Sequence, residues 1–88
     1  MSTLLDRQRF ADQITSALAG SCQPDDSGVA TGMRIVIHEL LEGERPLADV
    51  AELSQRVLKW HQPEEQLSIK LTRIARDIRG FAESQLAS

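Results

Sequence analysis

The chain has 88 residues, 41% of them hydrophobic and 26% charged, with a formal net charge of −3. That length and balance fit one folded domain over residues 1–88 and exclude a disordered tail, while the negative charge opposes general attraction to DNA phosphates or anionic lipid. A single cysteine, Cys22, excludes an intramolecular disulfide and a Cys-rich metal site.

The lone thiol suits a reducing compartment, and a soluble, cytoplasmic protein is the expectation. Residues Met1 to Arg7 lack the basic and apolar regions of a secretory leader. The apolar runs, Ile35-Val36-Ile37 among them, fall far short of the roughly 18–20 residues that cross a bilayer. No membrane association is therefore expected. Aromatic residues are limited to Phe10, Trp60 and Phe81, so the core must be aliphatic. A base-stacking platform for single-stranded nucleic acid is correspondingly disfavoured.

Three polar breaks, at Gly20–Ser27, Gly43–Arg45 and Gln62-Pro63, leave four segments with helical periodicity and none with the alternation of a half-buried strand. The first, about 3–19, places Leu4, Phe10, Ala11, Ile14, Ala17 and Leu18 on one arc. Ser2 or Thr3 can cap its start, and Gly20 suits a left-handed stop. The second, about 27–42, gathers Val29, Ala30, Met33, Val36, Ile37, Leu40 and Leu41 on one face. Asp25, Asp26 or Ser27 can supply its N-cap, and Gly43 suits the position after its end.

The third segment, about 46–61, opens with Pro46 in a first-turn position. Leu47, Val50, Ala51, Leu53, Val57, Leu58 and Trp60 spread over about half its circumference, which calls for neighbours on two sides. The fourth, about 63–86, opens with Pro63 and carries Glu64 and Glu65 at the positive end of its dipole. Its stripe is Leu67, Leu71, Ile74, Ala75, Ile78, Phe81 and Ala82, with Gly80 on the opposite side. Short connections favour antiparallel neighbours, so the fold expected is all-α, a compact four-helix bundle. Two alternatives stand beside it: helical hairpins completed by homodimerisation, and the third and fourth segments as one kinked helix.

Three places invite a chemical reading. His38-Glu39-Leu40-Leu41-Glu42 begins like the zinc-protease pattern H-E-x-x-H, but position 42 is glutamate and His61 is the only other histidine. His61 itself sits near a helix end, where the dipole accounts for it. Cys22 lies beside Asp25 and Asp26, which work against an activated thiolate, and its loop lacks the lysine and second glycine of a phosphate cradle. No catalytic, cofactor-binding or metal-ligating residue is therefore assigned, and a non-enzymatic protein is expected.

The back of the fourth segment is more informative. Lys70, Arg73, Arg76 and Arg79 recur every three residues opposite the apolar stripe, and Asp77 alone opposes them between 66 and 82. Ile69 falls on that face, and Ile35 similarly points away from the stripe of the second segment. Aliphatics among arginines suit docking to another protein with an acidic surface, so Ile69, Lys70, Arg73, Arg76, Arg79 and Ile35 are the candidate partner-binding residues. A nucleic-acid-associated regulator using the same basic face is the alternative. A helix-turn-helix reading of Leu47–Ser54 fails because the following break comes too late and Glu64 and Glu65 would meet phosphates.

Overall fold

In a computed structural model, which describes residues 4–22 and 27–87, every regular element is an α-helix: α1 (Leu4–Ala19), α2 (Gly28–Leu41), α3 (Leu47–His61) and α4 (Glu65–Ala87). Each helix packs against its two neighbours around a ring, α1 on α2 and α4, and α3 on α2 and α4, with no close approach across either diagonal. All four neighbouring pairs run antiparallel. Arg7 near the start of α1 reaches the end of α2, Gly32 early in α2 meets Val57 late in α3, and Phe10 of α1 meets Phe81 late in α4. The 23 residues of α4 would span about 35 Å at the α-helical rise, close to the 39 Å long axis of the molecule.

The inward stripes match the helical periodicity closely. Phe10, Ile14, Met33, Val36, Leu40, Val50, Leu67, Leu71 and Ile78 are almost wholly buried in one continuous core. Phe81 packs edge-on to Phe10, with centroids 5.9 Å apart. The exceptions lie at stripe margins: Leu4 and Leu41 are exposed, and Leu18, Ile37, Leu53 and Leu58 are half-buried. Trp60, expected inside the wide arc of α3, is 78% exposed. A ring of four supplies α3 with two neighbours and a core, and that arc runs past both.

The helix ends differ from expectation in an instructive way. Ser27 does cap α2, its Oγ accepting from the Ala30 amide at 3.2 Å. The other proposed caps Ser2, Thr3, Asp25 and Asp26 lie outside the described residues. Neither Gly20 nor Gly43 is left-handed; among the described residues only Gln62, at φ 42°, has a positive φ. Pro63 disfavours the right-handed helical region for the residue before it, so Gln62 turns out of α3. The turn occupies 62–64, so α4 starts at Glu65 and Pro63 precedes it; Pro46 likewise stands just outside α3 as its N-cap. The two segments are thus separate antiparallel helices, not one kinked helix.

With no left-handed glycine at its end, α2 is closed from α1. The Arg7 guanidinium donates to the carbonyls of Leu40 (3.0 Å), Glu39 (3.1 Å), Gly43 (3.5 Å) and Arg45 (2.9 Å). The Glu39 carbonyl also accepts the Gly43 amide, but those of Leu40, Gly43 and Arg45 take no backbone bond among the described residues, and the cation also meets the negative end of the dipole. Gly43 itself is needed for space, since a Cβ there would lie 2.7 Å from the Glu39 carbonyl oxygen.

Close approach also governs the seam between α2 and α3. A Cβ at Gly32 would fall 2.6 Å and 2.8 Å from the two Val57 methyls. One turn further along, the buried Ser54 hydroxyl donates to the Met33 sulfur at 3.9 Å, so the only buried polar side chain among the described residues has a partner.

Two substitutions test this account. Arg7→Ala should destabilise the fold by about 1–3 kcal/mol in urea unfolding, and Arg7→Lys should recover only part, because an ammonium cannot fork to several carbonyls. Gly32→Ala should cost about 1–3 kcal/mol despite alanine's better helix propensity, and adding Val57→Ala should show favourable coupling in a double-mutant cycle.

Candidate interaction surface

The cations of α4 do not form one uniform face. Arg79 turns toward α3, where it donates to Gln55 Oε1 at 3.2 Å and pairs with Glu52 at 3.9 Å. It is half-buried, and it belongs to the α3–α4 seam. Lys70 and Arg73 turn the other way, toward α1. Arg76 faces outward with Ile69, which is 54% exposed. Helical geometry sets Ile69, Arg73 and Arg76 at i, i+4 and i+7, one above another on the outer surface. The side chains of Lys70, Arg73 and Arg76 make no hydrogen bond or ion pair among the described residues.

Ile35 lies elsewhere. It is 53% exposed on the outer side of α2, so the structure does not bring it to the α4 group. Antiparallel pairing of α2 and α3 instead places it level with the half-buried Leu53, and Trp60 stands further along the same outer side.

Between α1 and α4 runs an open groove. Ala17 and Ile74 form its buried floor, Arg9, Lys70 and Arg73 stand on its rim, and Leu5 lies near one end. Asp12 and Asp77 also line it. The Arg9 guanidinium lies 4.9 Å from the Phe10 ring centroid and 3.4 Å from Asp6. Leu5 is 76% exposed, an apolar side chain at the groove with little of its surface covered. This groove has no signature in periodicity, because its α1 half reads as an ordinary polar helix face.

The chemistry-bearing residues are scattered. His38 Nδ1 pairs with Glu42 Oε2 at 2.9 Å, with both side chains largely in solvent. The His61 ring lies against Gly28 at the start of α2, so a Cβ at Gly28 would overlap it. Cys22 is exposed and free. Among the described residues, no three His, Cys, Asp or Glu side chains group as metal ligands, and no helix is long and apolar enough to cross a membrane. Neither protein families, curated proteins nor solved structures give a match to this chain.

The division of the α4 cations has a measurable consequence. Arg79→Ala should lower stability by about 0.5–1 kcal/mol, because it breaks a bond across the seam. Arg76→Ala should leave the thermal midpoint within the small range typical of solvated surface positions.

Proposed function

We propose that the protein is a non-enzymatic interaction module, of the adaptor, small chaperone-subunit or inhibitor kind, acting on a partner with an acidic surface. One observation carries this reading: Ile69 stands exposed among Lys70, Arg73 and Arg76, three cations with no bonding partner among the described residues. Solvated arginines are not strained, but they are available for charge-assisted, bidentate pairing with carboxylates. The isoleucine beside them adds apolar area that a partner would remove from water. A cytoplasmic setting accompanies the reading, on the strength of the single thiol. Self-association through the outer side of α3, where Trp60 and Leu53 lie, is a compatible extension.

The same unpaired cations support a second reading, attachment to a nucleic-acid backbone. Against it weigh the overall charge of −3 and the Asp77 carboxylate within the same helix. The two readings separate in a salt titration with labelled duplex DNA and single-stranded RNA, since phosphate contacts weaken steeply with added salt. Absence of binding at low ionic strength eliminates the second.

The first reading is tested with Arg73→Glu/Arg76→Glu. The double variant should keep its helical circular dichroism and lose the proteins that the wild-type chain captures from a lysate of its source cells, identified by mass spectrometry. Capture unchanged by the reversal would remove α4 from the interface.

A further inference from the structure

We infer that the groove between α1 and α4 is the docking site for a single amphipathic, acidic helical segment of a partner protein. This rests on the interaction-module reading and gives its partner a shape and a charge pattern. The α1 side of the groove extends from Leu5 to Ala17, twelve helical steps or about 18 Å, which matches a helix of about three turns. The backbones of α1 and α4 make the fewest close approaches of the four neighbouring pairs. Ala17 and Ile74 at one end and Leu5 near the other are the apolar points against which the hydrophobic face of such a helix lies.

The charge order along the groove defines the occupant further. Because α1 and α4 are antiparallel, Lys70 lies level with the Ala17 end and Arg73 follows; Asp77 and Asp12 come next, and Arg9 and Leu5 lie beyond. Lys70 and Arg73 are unpaired among the described residues, whereas Arg9 already has Asp6. Carboxylates on the occupant are therefore complementary at the Ala17 end and repelled in the middle, opposite Asp12 and Asp77. A second copy laying the outer face of its own α4 there would bring Arg73 and Arg76 to a rim that already holds Arg9, Lys70 and Arg73, an excess of cations that disfavours that occupant.

The test selects helix-length peptides from a displayed random library on the immobilised full chain. Peptides that win should be amphipathic with Asp or Glu clustered at one end. They should perturb backbone amide resonances of α1 and α4, and lose about tenfold or more in affinity on Lys70→Glu/Arg73→Glu. An Arg56→Glu variant on α3 should bind them as the wild type does, and circular dichroism confirms that both variants fold. Winners that are neutral or basic, winners indifferent to the Lys70/Arg73 reversal, or no winners at all would overturn the inference. So would a dimer in sedimentation that the reversal dissociates, because the occupant would then be a second copy. Peptides that instead perturb α2 and α3 around Ile35 and Trp60 would overturn the groove yet leave the interaction-module reading standing. That reading fails separately, in the lysate capture.

Discussion

Arg7 is the side chain on which the arrangement of the first three elements depends. A helix ends with carbonyls that its own backbone leaves unpaired, and in α2 the Leu40 carbonyl is one that Arg7 of α1 reaches. One guanidinium answers carbonyls of Glu39, Leu40, Gly43 and Arg45 together, so the start of α1, the end of α2 and the turn into α3 share one anchor. The connection from α1 to α2 is the longest of the three, and the anchor ties the two helices together at their opposite ends. A planar fork suits this position, since it reaches several acceptors without bending its own geometry.

From that anchor the rest of the ring follows by packing. With α1 held on α2, its Phe10 and Ala17 edge is left to α4, and Phe81 closes against Phe10. On the other side, Gly32 lets the backbone of α2 come close enough for the Val57 methyls to fill the seam. That contact turns the Val50 and Val57 edge of α3 inward. The remaining apolar edge of α3 then has no helix to meet, which leaves Leu53 half-buried and Trp60 in solvent.

The same logic partitions the basic residues of α4. Lys70 and Arg79 stand on opposite flanks of one helix, so the helix next to each flank determines its company. α3 offers Gln55 and Glu52 to Arg79 and absorbs it into the fold. α1 offers Lys70 and Arg73 a groove with an apolar floor and no bond among the described residues. What reads in one dimension as four equivalent cations is thus one structural residue, two groove residues and one outward residue beside Ile69.

The sequence by itself determined the helix count, the inward stripes and the three breaks, because these depend on local periodicity and on Gly and Pro punctuation. It placed Ile69 and Arg76 on the outward face of α4 for the same reason. Arg7 gave no local signal, since its partners lie more than thirty residues away along the chain. Nor did Gly32, whose role exists only where a second helix presses on it. The exposure of Trp60, the separation of Ile35 from α4, the internal bonding of Arg79 and the α1–α4 groove were likewise decided by tertiary structure. Periodicity states which way a side chain points from its own axis; only the placement of neighbouring axes states what it meets there.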